Sequence, residues 1–320
     1  MGCPLTDGRD IVYNRGMKRN HVLCCVLAFA FVTLSALSEP VDWEQAETVA
    51  PGVKATGYRT ETPRLMECRL LRVDLRQKGL SFVATKRAAE WGEAMPDVTN
   101  RTVIVDTRRE PTEAFMARCR QQGLNVVAAV NTSPWNPWEP PWTHRFARLP
   151  HLSVSDGQVV SHNEKPGPML VIWKDNTAVI TNDLAAADVP RVAVAHPGFS
   201  IIMRGGQAPE RKPGKPRLAP RTAFGISSDG RYLYALIVDG RQPDWSQGAD
   251  MADLAILLKE AGAADAINMD GGGSTTLVTL AADGKTLVHR NRHEPSYRHY
   301  RSVSQNLGIV VCPKECRESN

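Results

Sequence analysis

Long apolar runs are scarce in this 320-residue chain. The longest, Val22 to Leu37, is about 16 residues, short of the ~20 that a membrane-spanning helix needs. No later segment is apolar enough to cross a bilayer. Charge of one sign is also in short supply. The formal net charge is +5, and removing residues 1–38, with four basic and two acidic side chains, leaves +3. That balance is too weak to argue for a nucleic-acid partner. No Gly-x-Ser-x-Gly elbow and no His-Glu-x-x-His occurs, so serine-hydrolase and zinc-protease chemistry have no motif to rest on.

Cysteine is limited to seven residues, and Cys3, Cys24 and Cys25 fall in or before the apolar run. Lys18-Arg19, the run itself and the small residues of Ala36-Leu37-Ser38 together read as a secretory signal. Residues 17–38 are therefore expected to be a signal peptide, with an uncleaved N-terminal anchor as the alternative. Residues 1–16, ahead of the second Met, read as a mis-assigned start. The mature protein is expected outside the cell or in the periplasm, with no membrane span after cleavage. It would keep Cys68, Cys119, Cys312 and Cys316, an even number in an oxidising compartment, which predicts disulfides with three possible pairings. No His stands at a spacing that would complete a zinc site with Cys312-x-x-x-Cys316. No metal or cofactor is expected.

A hydrophobic content of 42%, with 24 Gly and 22 Pro, suits a loop-rich globular protein. Residues 39–62 read as a polar lead-in and 63–320 as one domain. Strands are expected at Glu67 to Leu75 and Leu80 to Thr85, around a turn at Gly79, and also at Thr102 to Val105 and Val126 to Val130. Hairpins should turn at Asp156-Gly157, Lys174-Asp175-Asn176 and Asp229-Gly230. One helix is predicted over Thr112 to Gln121, closed by Gly123. A second runs from an Asp250 N-cap to Ala261, with Met251, Leu254, Ala255 and Leu258 on one face and Gly262 ending it. The fold class expected is α+β: mixed sheets and hairpins with a few packed helices.

The most informative stretch is Asn268-Met269-Asp270-Gly271-Gly272-Gly273-Ser274-Thr275-Thr276. A carboxylate ends an apolar strand, three glycines follow, and then three hydroxyls. Glycines let backbone N–H groups approach a ligand, and such turns can form anion-binding concavities. The plain alternative is a tight turn between two strands. A Walker loop is excluded, since it needs a Lys and a following helix, whereas Ser-Thr-Thr-Leu-Val-Thr is strand-like. The spacing of a dinucleotide fingerprint is also missing.

Upstream lie Pro220-Arg221-Thr222-Ala223-Phe224-Gly225, then Val238-Asp239-Gly240-Arg241, then the second helix. In this order the motifs resemble the phosphodiester glycosidase family, specifically from about Arg217 to Val311 and more faintly from Leu65 to Val171. That family includes a lysosomal enzyme that removes N-acetylglucosamine from a phosphodiester link to mannose. Its members usually carry Asn-Gly-Gly-Phe-Phe after a strand, but this chain has Asn131-Thr132-Ser133-Pro134-Trp135, matching at Asn131 alone. Asn291-Arg292 and Arg301 stand where members carry an Asn-containing stretch and then an Arg, around an insertion, Arg292 to Tyr300, that fits the family pattern poorly.

The resemblance implies an exported hydrolase that releases a sugar from a sugar-1-phosphodiester in a glycan or cell-envelope polymer. The chemistry would be oxocarbenium-like at the anomeric carbon, with phosphate leaving. Asp270 is expected as the carboxylate at the anomeric centre and Asp239 as the second carboxylate. Gly271, Gly272, Gly273, Ser274 and Thr275 would hold substrate oxygens, with Asn131, Asn268, Arg292 and Arg301 also binding. Arg221 and Arg241 are forks suited to phosphate.

Pro134 to Trp142 packs three tryptophans into a proline-stiffened loop, either stacking on a sugar or buried against the core. The basic run His289 to Arg301 would in isolation be a solvated face. Asp106, Asp188 and Asp244 read as surface or turn residues. A rival function is a non-catalytic exported glycan-binding protein on the same fold, with the Trp loop as its platform.

Overall fold

The computed structural model describes residues 41–96, 98, 102–139, 143–208, 210, 216–296 and 299–312. The signal-peptide and start-site expectations, Trp142 and Cys316 lie outside them.

Alternation along single strands explains the layering. In the strand Met66–Asp74, Leu71 and Val73 belong to one buried cluster, while Met66, Cys68 and Leu70 belong to another on the opposite face. This strand sits in a seven-stranded antiparallel sheet. The order is Glu47–Ala50, Val53–Thr60, Met66–Asp74, Tyr232–Val238, Arg221–Ile226, Asp265–Asn268 and Ser200–Met203. A five-stranded sheet runs Leu287–His289, Leu277–Leu280, Val126–Asn131, Asn306–Val311 and Leu80–Ala84. A second five-stranded sheet runs Ala178–Thr181, Met169–Trp173, Val192–Pro197, Val154–Ser155 and Gln158–Val159. Phe224, Ile237 and Ile267 from the first sheet, Val130 and Leu307 from the second, and Ile172 and Val194 from the third meet in one core.

The outer faces are closed by helices α1 (Thr112–Gln121) and α2 (Met251–Ala261). Leu254, Ala255 and Leu258 of α2 share a cluster with Leu70, Ala223 and Leu236. Phe115, Met116 and Cys119 of α1 pack with Val126, Ala129 and Val278. Helix α2 begins where the sequence places it. Asp250 accepts from Asp253 N–H in a capping box, and Gly262 ends the helix at φ 109°. With 12% of the described residues helical and 39% in strands, the architecture is mainly β, more so than an α+β label conveys.

Three expectations need correcting. Residues 41–62 are more than a lead-in, since they supply the strands Glu47–Ala50 and Val53–Thr60. Thr102 to Val105 forms an isolated bridge from Ile104 to Ala94 rather than a strand, whereas the strands on either side of Gly79 are present and join different sheets. Asp106 is fully buried, accepting from Leu149 N–H and His162 N–H, with the His162 ring nitrogen 2.7 Å away.

The structure gives Cys68 and Cys119 no disulfide, while Cys316, a possible partner, lies outside the described residues. Cys68 and Cys119 are free, buried thiols in separate clusters on opposite faces of the layered core. Burial pushes the Cys68 thiol up to about 12.

Candidate active site

The strand Asp265–Asn268 carries the chain to the edge of the first sheet, where Met269 is buried and its N–H donates to Thr222 O. Asp270 follows, with its N–H donating to Thr132 O at 2.8 Å. Asn131 joins the segments. Its Nδ2 donates to Asp270 O at 2.8 Å, while its Oδ1 accepts from Thr222 Oγ1 at 2.8 Å and from Thr276 N–H at 2.9 Å. One fully buried amide thus connects the end of a strand in the second sheet to both sides of the glycine turn and to the first sheet.

The turn needs its glycines for space and conformation. A Cβ on Gly271 would lie 2.7 Å from Pro220 O, and Gly272 has φ +62°. Most of its N–H groups are already engaged. Gly272 donates to Pro220 O, Ser274 to Gly271 O and Thr275 to Gly272 O, and Gly271 donates to the Asp270 carboxylate. For Gly273 N–H no protein acceptor occurs among the described residues. The turn therefore offers fewer backbone donors to an anion than three glycines in a row imply.

Asp270, Gly271, Gly272 and Gly273 line a pocket of about 490 Å³, within the roughly 300–1,000 Å³ usual for ligand sites. Among the described residues, Asp270 Oδ2 has no hydrogen-bond partner. Loss of solvation raises the Asp270 carboxyl to about 6, opposed by the Ser274 hydroxyl, Arg301, the Gly271 N–H and Arg109.

Arg221, Arg241 and Arg301 line the same pocket. Arg221 donates to two carbonyls, Ala249 O at 3.1 Å and Arg217 O at 2.9 Å. Burial, followed by the neighbouring Arg241 charge, lowers its pKa, with Asp250 acting in the other direction. Arg241 adopts φ 56°, an unfavourable conformation for a side-chain-bearing residue, and pairs with Glu294 at 2.9 Å. Two guanidiniums held side by side at a pocket wall form a ready anion site. Arg301 lies 3.5 Å from Ser274 Oγ, and its guanidinium sits over the Trp138 ring at 4.9 Å.

The other expected site residues stand behind the wall. Asp239 is buried and accepts from Trp245 Nε1 at 2.8 Å and from the Arg292 N–H at 3.1 and 3.2 Å. Burial raises its carboxyl above the ordinary range, and those donors oppose the rise. Asp239 and the Arg292 backbone thus fasten the basic run to the Val238 strand end, while the Arg292 guanidinium lies over Trp245. Ser274 and Thr275 are buried, as is Asn268, whose Oδ1 is unpartnered among the described residues. Asn291, next to Arg292, receives the Leu277 N–H and donates to Thr275 O, holding the exit of the glycine turn.

Several residues in the pocket, and Arg109 in the layer behind it, had no signal strong enough to single them out. Arg109 is almost fully buried, donates to His144 O and Ser302 O, and lies over the Trp135 ring at 3.8 Å. Its pKa falls to about 10, through burial and the Arg301 charge, with Asp270 opposing. Phe199 and His151 line the pocket itself, together with Trp135 and Trp138 from the expected Trp loop. Behind Thr132 and Ser133 lies a polar network. Ser133 Oγ donates to Gln305 Oε1 at 2.6 Å, and Gln305 Nε2 donates to Ser153 Oγ at 2.7 Å. His196 joins it, and burial lowers that ring's pKa to about 4, which keeps it neutral. This network occupies the place where the usual Asn-Gly-Gly-Phe-Phe is replaced.

Fold and pocket together define a β-rich protein with one carboxylate, paired guanidiniums and aromatic rings lining one pocket. The phosphodiester glycosidase family profile matches residues 122–310, more than half of the chain, and the chain belongs to that family. In fold it is similar to the zebrafish N-acetylglucosamine-1-phosphodiester alpha-N-acetylglucosaminidase catalytic domain, auto-inhibited by its pro-peptide. Identity there is 20%, over 83% of this chain and 86% of that one, with a TM-score of 0.56. It is also similar to a hypothetical protein from Synechocystis at 12% identity, covering 82% of this chain and 62% of that one, with a TM-score of 0.50. No curated protein matches the chain.

Proposed function

We propose that this chain is an exported hydrolase that releases a sugar from a sugar-1-phosphodiester, in a glycan or a cell-envelope polymer. The observation that carries this reading is Asp270, with an unpartnered carboxylate oxygen, in one pocket with Arg221, Arg241 and Arg301. The anomeric carbon would sit against Asp270, whose negative charge stabilises or captures the developing oxocarbenium centre, or activates water there. Above its pKa of about 6 the carboxyl is ionised and ready for that role. A phosphate diester leaves as a stabilised anion, so it needs charge neutralisation more than a strong proton donor. Arg221 and Arg241 supply it through the guanidinium N–H groups not already bonded to Ala249 O, Arg217 O and Glu294, and Arg301 adds a third cation near the carboxylate. Asp239 acts through the Arg292 backbone as a positioning residue and need not touch the substrate. Gly273 N–H is available to a substrate oxygen.

The replaced Asn131-Thr132-Ser133-Pro134-Trp135 segment and the exposed Trp138 favour a second reading, a glycan-binding protein without turnover. Incubating purified protein with methyl diesters of several sugar 1-phosphates, and measuring free sugar, separates the two. Release that disappears in Asp270→Asn supports hydrolysis. Saturable binding with no release across the panel supports the binder. N-terminal sequencing of protein recovered from its native compartment tests export, with a start close to Glu39 expected.

A further inference from the structure

The two neighbouring arginines of the pocket wall differ in what holds them. Arg221 donates to carbonyls, Ala249 O and Arg217 O, which carry no net charge. Arg241 meets a carboxylate: its Nη1 donates to Glu294 Oε2 at 2.9 Å. A Cβ added to Gly272 would lie 3.5 Å from the same nitrogen, so one guanidinium nitrogen borders both the glycine turn and Glu294.

Glu294 comes from the insertion Arg292 to Tyr300, where the chain departs from the family pattern. Its side chain is 9% exposed, against 49% for Arg241, so water screens its charge poorly. Its other oxygen accepts from Ser296 Oγ at 2.8 Å. The insertion is tied down at both ends. The Arg292 N–H donates to Asp239, Tyr300 Oη donates to Asn291 O, and the Tyr300 ring stacks on His289, which is hydrogen-bonded to Glu113 of α1. Anchored in this way, the Glu294 carboxylate is a fixed part of the field around Arg241.

Cleavage at the anomeric carbon changes the charge of the ligand. The oxygen of water joins that carbon, the bond from the carbon to the phosphate oxygen breaks, and the proton of water passes to the phosphate or to solvent. A diester with one negative charge becomes a monoester whose second pKa is about 6, so at neutral pH the product is mostly a dianion. Repulsion by a fixed carboxylate is twice as large for a dianion as for a monoanion in the same place. We infer that Glu294 is a charge gate on the anion site: it leaves Arg241 able to take up the singly charged diester and drives out the doubly charged product. This rests on the proposed phosphodiester cleavage, and it assigns product release to a residue outside the pocket lining.

The test titrates two esters into wild type, Glu294→Gln and Glu294→Asp at about pH 8, read by ligand-observed NMR. Phenyl phosphate is a dianion there and methyl phenyl phosphate a monoanion. Melting curves confirm that each variant is folded. Glu294→Gln should tighten the dianion about tenfold and the monoanion only about threefold, the relation that doubled repulsion requires. Each ester is compared with itself, so their difference in size cancels. Glu294→Asp keeps the charge and should stay close to wild type for both. Equal or absent changes for the two esters, or weaker binding of both in Glu294→Gln, would make Glu294 only an anchor for Arg241 and overturn the gate. An Asp variant that shifts as far as Gln would overturn it too. If neither ester binds any of the three proteins, the anion site is absent and the gate falls with it. The titration needs no turnover, so a protein that binds as expected but releases no sugar fails the hydrolase reading alone. Where sugar is released, phenyl phosphate should inhibit Glu294→Gln about tenfold more strongly than wild type; equal inhibition overturns the role in product release.

Discussion

A carboxylate is costly where water is scarce, and Asp270 bears that cost in the pocket lining with one oxygen unpartnered among the described residues. Its folded-state pKa of about 6 lies above the ordinary value of 3.8. Folding therefore favours the neutral form: the associated stability is fully present below about pH 4 and is lost as pH rises through about 6. Asp270→Asn removes this penalty. At pH 7–8 the variant should be more stable than wild type by on the order of 2–3 kcal/mol, with the gap closing toward pH 4, as thermal melts at several pH values would record. Turnover should fall by about a thousandfold or more, over 4 kcal/mol of barrier. An Asn variant that is both less stable at neutral pH and fully active would mean the centre lies elsewhere. The arginines make a complementary case. Replacing Arg221 or Arg241 by Ala should cost roughly ten- to a hundredfold on a charged diester, from on the order of 1.5–3 kcal/mol per charged hydrogen bond. An aryl glycoside of the same sugar, lacking the anion, should be a poor substrate for wild type and lose little more in either variant. Equal losses on both substrates would assign the arginines to structure.

At the level of elements, the site depends on segments that are distant in sequence and joined by one side chain. Asn131→Ala would leave Thr222 Oγ1, the Thr276 N–H and Asp270 O without their present partner, inside the protein. Each lost buried bond costs about 1–3 kcal/mol, so a loss of at least about 3 kcal/mol is expected in urea unfolding. Activity should fall in parallel, because the Asp270 backbone loses its anchor. Stability unchanged in this variant would argue against the junction. What was legible in the sequence follows the same division between local and distant. Helix α2 could be read from its Asp250 cap, its apolar face and Gly262, and the hairpins from Asp156-Gly157 and Asp229-Gly230, because each signal lies within a few residues. The strand Val53–Thr60 was hidden because VKATGYRT alternates with polar and charged residues facing outward, and its partner is recognisable only from the fold. The strands on either side of Gly79 could be read from their alternation, but nothing near Gly79 reveals that the two belong to different sheets. Within the site, Asp270, the glycines and the arginines stood out by type and spacing. Phe199, and Arg109 behind Trp135, arrive by tertiary packing from segments with no such pattern, and Asp239 carries the right chemistry outside the pocket lining.

Across the whole molecule, the layered core decides the fate of the cysteines. Cys68 lies on the α2 side of the seven-stranded sheet and Cys119 on α1, beyond the second sheet, with the shared core of both sheets between them. With the core between them, Cys68 and Cys119 do not pair with each other, so an even cysteine count does not by itself fix the pairing. Both thiols should be inert in the native state. Only the thiolate reacts readily, and burial raises both pKa values, that of Cys68 to about 12. Two free thiols could then persist in an oxidising compartment because neither is accessible to oxidant. Alkylation with iodoacetamide, followed by peptide mass mapping, tests this directly. Native protein should show no label at Cys68 or Cys119, and protein unfolded in guanidinium without reductant should show both labelled. A Cys68–Cys119 cross-linked peptide, or rapid labelling of either residue under native conditions, would contradict this arrangement of sheets and helices.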